Sequence, residues 1–237
     1  MSIFGIHYNE YMIFFLHGAV GHSSDWHSII KSLYPHQCEA IDLYSYCNES
    51  INVAARNINS LGSPGDIIVG YSLGARITLQ ALVEDNSPWS KAIFISAHTG
   101  MIADETRKAR VKDDLKWSEL CNSNWNQFVE DWERQSIFNH SNLIADRNQL
   151  IHLKEKISET FINWSTGKQA PPISNFDLIK IPNLWLTGEF DEKYTKMAAH
   201  ACEQIPLSQI NILSNSGHRV PWDKPKETAD AINVFIS

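Results

Sequence analysis

Apolar and polar positions change rhythm several times along this chain, and each change marks an element. MIFFL (12–16) is unbroken apolar, as expected of a strand covered on both faces. SDWHSIIKSL (24–33) follows with helical spacing, and Ser24 or Asp25 is its predicted N-cap. CEAIDLY (38–44) predicts a strand and INVAARNINSL (51–61) a helix. GDIIVG (65–70) predicts a strand, RITLQALVED (76–85) a helix, and KAIFISA (91–97) another strand. Upstream of MIFFL, the sequence predicts one more short strand, separated from it by a turn at Asn9-Glu10.

The alternation then stops. From 99 to 177 the signals are helical, rich in Trp, Asn, Lys and Arg, with no strand-like run. Pro171-Pro172 marks the exit. Alternation resumes with IPNLWLTGEFDE (181–192, strand and turn), KMAAHACEQI (196–205, helix), QINILSNSGH (209–218, strand) and ETADAINVFI (227–236, helix). The expected architecture is α/β: a mostly parallel sheet flanked by helices, built from 1–98 and 178–237, with 99–177 inserted as a helical lid.

Composition narrows the function classes. A chain of 237 residues with 43% hydrophobic content suits one α/β domain with an insertion. The net charge of -7 argues against general nucleic-acid binding, which calls for a basic face. No segment reaches the roughly 20 apolar residues of a membrane helix. The N-terminal apolar run has no preceding Lys or Arg and makes a poor signal peptide. Cys38, Cys47, Cys121 and Cys202 form no CxxC pair and are expected to be reduced thiols in a cytoplasmic protein. His200 and Cys202 lack a second ligand pair, so no zinc site is expected.

Gly70-Tyr71-Ser72-Leu73-Gly74 matches G-x-S-x-G between a predicted strand and a predicted helix. That context suits a nucleophilic serine on a sharp turn, flanked by small residues and facing the positive end of the next helix. Two partners follow in the order nucleophile, acid, base. Asp191 comes after the strand in IPNLWLTGEF, and His218 after INILSNSG. His218 would take the Ser72 proton, while Asp191 would hold the imidazole tautomer and stabilise its charged form. Glu189 is a nearby rival for the acid, and a helix N-cap is the plainer role for Asp191. In LHGAVG (16–21), the Ala19 N–H would join that of Leu73 in an oxyanion hole, with Gly18 permitting close backbone approach. His17 is expected to brace this loop, and His22 and Trp26 to serve structure or the pocket wall.

These features are those of the α/β-hydrolase fold. A narrower resemblance rests on GYSLGAR (70–76), RKARVKDD (107–114), FVEDWERQSIF (128–138), STGKQAP (165–171), TGEFDEKYTKMA (187–198) and SGHRVP (216–221). On these stretches, over nearly its whole length, the chain resembles the 2-succinyl-6-hydroxy-2,4-cyclohexadiene-1-carboxylate (SHCHC) synthases of menaquinone biosynthesis. The resemblance implies an elimination: pyruvate leaves 2-succinyl-5-enolpyruvyl-6-hydroxy-3-cyclohexene-1-carboxylate. It implies that the Ser–His–Asp triad promotes removal of a ring proton, that the oxyanion hole stabilises the enolate, and that no cofactor or metal takes part.

The same resemblance gives Arg76, Arg110, Trp132 and Tyr71 to the binding of a small polycarboxylate. Arg76 lies one helical turn beyond Ser72, where a guanidinium can grip a carboxylate with two parallel bonds. A surface ion pair is the plain alternative for Arg76, and a solvated helix face for Arg110. A third family arginine has no secure counterpart; Arg147 and Lys154 are the candidates. DLYSYCNES (42–50) stands where relatives have a Pro-Gly-His-Gly turn. The expected partner is thus a small molecule, with no nucleic acid and no membrane insertion, and the chain is taken as a monomer. Two other readings use the same sequence: a serine carboxylesterase resembling the pimeloyl-thioester methyl ester esterases, and a catalytically dead hydrolase fold serving as a receptor.

Overall fold

The structure is a computed structural model, and it describes residues 11–237. The predicted strand before the Asn9-Glu10 turn lies outside the described residues. In chain order the elements are β1 (Met12–Leu16), α1 (His27–Ser32), β2 (Gln37–Ile41), α2 (Ile51–Asn59), β3 (Ile67–Tyr71), α3 (Leu73–Val83) and β4 (Lys91–Ile95). After β4 come α4 (Asp104–Ser123), α5 (Trp125–Glu133) and α6 (Lys154–Asn163), then β5 (Asn183–Gly188), α7 (Glu192–Gln204), β6 (Ser208–Leu213), α8 (Val220–Asp223) and α9 (Pro225–Ile236).

Among the described residues, all six strands are parallel, in the order β2-β1-β3-β4-β5-β6. The central strands read as continuous apolar runs because both faces are covered. In β1, Phe14 and Leu16 face one core and Ile13 and Phe15 the other. The same alternation places Phe94 and Trp185 with the first core, and Ile93, Ile95, Leu184 and Leu186 with the second. The edge strands β2 and β6 carry Gln37, Glu39, Gln209 and Asn211, and are only half covered.

Two local boundaries depart from the sequence expectation. The second strand ends at Ile41, because the Asp42 carboxylate accepts the Tyr44 N–H (3.0 Å) and caps a 3-10 turn over Leu43–Tyr46. The first helix is entered through a 3-10 turn, Ser23–Trp26, capped by His22 and not by Ser24 or Asp25. His22 Nδ1 accepts the Ser24 N–H at 3.2 Å, and Asp25 Oδ2 accepts the His22 N–H at 2.9 Å.

The segment between β4 and β5 is helical, as its composition suggested, and has its own core. Cys121, Trp125, Phe128, Ile157 and Phe161 pack together with Val20 and Tyr44 from the loops after β1 and β2. Its entry and exit meet where the Ile173 N–H donates to the Thr99 carbonyl (3.3 Å). No helix among the described residues is long and apolar enough to cross a membrane.

Candidate active site

Ser72 stands between β3 and α3 with φ 50° and ψ -104°, a conformation that a non-glycine residue holds only under constraint. Strand pairing supplies part of that constraint: the Ser72 N–H donates to the Ile95 carbonyl (2.9 Å). The flanking glycines are steric necessities. A Cβ at Gly74 would collide with the Leu16 and His17 carbonyls, and one at Gly70 with the Gly74 carbonyl and Ala75. With these removed, α3 starts close against the end of β1, and its N-terminus faces the serine.

His218 and Asp191 arrive from the loops after β6 and β5. His218 Nε2 lies 3.2 Å from Ser72 Oγ, and His218 Nδ1 lies 2.8 Å from Asp191 Oδ2. The carboxylate fixes the proton on Nδ1, leaving Nε2 to accept from the serine. Asp191 precedes α7 but makes no capping bond with its side chain, which is committed to the imidazole. Glu189 turns away and accepts the Asn215 N–H (2.8 Å). Behind His218, the Ser96 hydroxyl donates to the His218 carbonyl (2.9 Å) and steadies the loop.

A cavity of about 110 Å³, open to solvent, covers the serine. Ala19, Tyr71, Leu73, Arg76, Arg110 and Trp132 all line it. Leu73 is the first residue of α3, so its N–H has no partner within that helix. Gly18 is needed because a Cβ there would press on the Tyr71 ring at 2.6 Å. His17 is wholly buried and braces the loop: Nδ1 donates to the Gly18 carbonyl (2.8 Å) and Nε2 accepts the Leu43 N–H (3.2 Å). Trp26 belongs to the core, against Phe15 and Trp222.

The basic residues separate into different roles. Arg76 is buried and makes no surface ion pair. Its Nη1 donates to Gln169 Oε1 and its Nη2 to the Trp164 carbonyl, both at 2.9 Å. Burial pulls the guanidinium down to about 10, helped by the neighbouring Arg110, and it stays charged at neutral pH. Arg110 holds both Asp114 oxygens through Nε alone, at 2.8 and 2.9 Å.

The two candidates for a third substrate cation do not reach this cavity. Arg147 is buried in a bidentate pair with Asp25, Nη1–Oδ1 and Nη2–Oδ2 both 2.9 Å. It borders a smaller cleft beside the first, with its charge already matched. Lys154 opens α6, where its carbonyl accepts from the Cys121 thiol (3.3 Å), and it is not among the lining residues.

Sequence reasoning overlooked His98, Phe138 and Tyr194, all of which line the cavity. The Tyr194 ring lies 4.5 Å from that of His218, and burial pushes its hydroxyl up to about 12. His98 had a readable signal, since it directly follows a predicted strand at the sheet edge that carries the site.

Comparison with known proteins gives the same frame. The model of the alpha/beta hydrolase family matches residues 13–231. A Haemophilus influenzae protein, provisionally named 2-succinyl-6-hydroxy-2,4-cyclohexadiene-1-carboxylate synthase, is 27% identical, covering 87% of this chain and 90% of its own length. The Photorhabdus laumondii protein of that name is 24% identical, over 94% of this chain and 84% of its own. Among solved structures, MenH from S. aureus superposes with a TM-score of 0.85 at 22% identity, covering 95% of this chain and 92% of that one.

Proposed function

The chain belongs to the alpha/beta hydrolase family, and from that premise we propose that it eliminates pyruvate from 2-succinyl-5-enolpyruvyl-6-hydroxy-3-cyclohexene-1-carboxylate to give SHCHC in menaquinone biosynthesis. The observation that carries this reading is the lining of the cavity over Ser72: two arginines and no carboxylate among the described residues. A substrate with several carboxylates can engage Arg76, whose partners are all neutral, and the end of Arg110 beyond the Nε that holds Asp114, whereas a neutral ester meets neither charge. The relatives named for this reaction align over most of the chain and support the same reading.

The names of substrate and product dictate the bond changes. Ser72, its proton drawn to His218, removes hydrogen from ring carbon 2, alpha to the succinyl carbonyl. A C2–C3 double bond forms, the C3–C4 double bond moves to C4–C5, and the C5–oxygen bond breaks. Pyruvate departs as its enolate, and the proton collected by His218 is available to it. The N–H groups of Ala19 and Leu73 stabilise the negative oxygen that develops on the succinyl group. Arg76 and Arg110 hold carboxylates, and Tyr71 and Trp132 wall the ring. The segment 99–177 acts as a lid over the α/β core that carries the triad. Ser72 and His218 alone relay the proton that leaves ring carbon 2, and the reaction takes place in the cytoplasm on a small molecule.

The test is incubation of the purified protein with the cyclohexene intermediate, with pyruvate followed by a coupled dehydrogenase. Release of pyruvate with formation of the diene is expected. Hydrolysis of a neutral chromogenic ester with no pyruvate from the intermediate would replace this reading with a carboxylesterase.

A further inference from the structure

His98 follows β4 on the same sheet edge as the catalytic loops and lines the cavity at Ser72. It is 7% exposed. Its Nδ1 accepts the Gly100 N–H at 3.0 Å. A nitrogen that accepts a backbone N–H carries no proton, so in the neutral ring the hydrogen sits on Nε2. The ring stands edge-on to Tyr194 at 6.0 Å, and Tyr194 packs in turn on His218. Burial, then Lys193, Arg76, Arg110 and His218, hold the imidazole down to about 3. The catalytic scheme above makes no use of this residue.

From this geometry we propose that His98 is a substrate-binding residue: its Nε2–H donates a hydrogen bond to an uncharged oxygen, hydroxyl or carbonyl, of the polycarboxylate held by Arg76 and Arg110. The proposal rests on the elimination reading and deepens it. The physical logic is one of division of labour. Arginines suit carboxylates, which they meet in pairs of parallel bonds. The substrate also carries a ring hydroxyl, for which the scheme supplies no donor, and a keto oxygen that can accept one bond beside those from Ala19 and Leu73. A third cation in a cavity that already holds two would repel them, whereas a neutral imidazole adds a donor at no electrostatic cost. A donor that needs a partner oxygen also rejects a ligand lacking it, since an unmet buried donor is costly.

The competing role for His98 is to fasten the Thr99–Gly100 turn, whose Thr99 carbonyl joins the exit of the insertion. Two substitutions separate the roles. In His98→Asn, Oδ1 takes the place of Nδ1 and can keep the Gly100 bond, but nothing reaches the position of Nε2. In His98→Gln, the amide nitrogen reaches the position of Nε2, and the acceptor for Gly100 is lost. The measurement is kcat/KM for pyruvate release, with thermal melting as a control of the fold. The expected result is about a tenfold loss for His98→Asn with unchanged melting, and partial recovery in His98→Gln, in line with one hydrogen bond. If His98→Asn does not fold, the His98→Gln rate decides alone: retained turnover supports the donor, and loss overturns it. A wild-type rate in His98→Asn, or a loss in His98→Gln as large as in His98→Asn, would show a turn-fastening residue and overturn the proposal while leaving the elimination intact. Wild-type protein that releases no pyruvate overturns the elimination and this inference together.

Discussion

Arg219 Nη2 lies 2.6 Å from Glu133 Oε2, joining the residue after His218 to the end of α5 in the insertion. The guanidinium also lies 3.9 Å over the Phe138 ring, and its Nη1 donates to the Asn142 carbonyl (3.2 Å). A second tie runs beside it: Ser141 Oγ donates to Asp223 Oδ2 and accepts the Arg219 N–H, both at 3.0 Å. The loop that carries His218 is therefore held by the insertion from two sides. Removing one partner of such a pair strands a buried charge. Arg219→Met should cost about 3 kcal/mol in chemical denaturation, and Glu133→Gln in the same background should return part of it. Strictly additive losses in the double variant would mean the two side chains do not cooperate.

Ser72→Ala and His218→Ala should each lower turnover by roughly a thousandfold or more, and the double variant should be no slower than the worse single one. The reason is their shared proton: with Nε2 at 3.2 Å from Oγ, neither group works without the other. Steady-state rates on purified variants check this. A double variant far slower than both singles would break the assignment of one unit.

Arg76→Ala should impair pyruvate elimination by roughly ten- to a hundredfold, and hydrolysis of a neutral chromogenic ester far less, because only the first substrate offers it a carboxylate. Arg76→Lys should recover only part, since one ammonium cannot reproduce the donors that reach Gln169 and the Trp164 carbonyl while also meeting a substrate. Comparing kcat/KM on both substrates decides the matter. Equal losses would make Arg76 a support of the elbow alone.

Arg147→Ala should act on stability. Asp25 would be left buried without its bidentate partner, at a cost of about 3–5 kcal/mol, and a joint Arg147→Met and Asp25→Asn change should recover much of it. Denaturation midpoints and KM for the cyclohexene substrate are the two readouts. A large rise in KM with an unchanged midpoint would return Arg147 to the substrate site.

Much of this protein was legible one segment at a time. Continuous apolar runs in 12–16, 67–70 and 92–95 announce strands covered on both faces, because burial on two sides removes the polar alternation. Ser72, Asp191 and His218 each announce themselves at a strand end, since strand, turn and helix start leave local marks. Pairings across long separations left no such mark. Periodicity could not choose Asp191 over Glu189, because the choice depends on which loop oxygen meets a ring supplied 27 positions later. Nor could it tell that Arg147 would be matched by Asp25, 122 positions away, while Arg76 would be left without a carboxylate partner. Hydrophobic spacing records which face of an element is buried. Which buried charge meets which carboxylate is set only when the insertion packs against the loops at the sheet edge, and there the tertiary structure alone brought His98 into the cavity that Arg76 and Arg110 line.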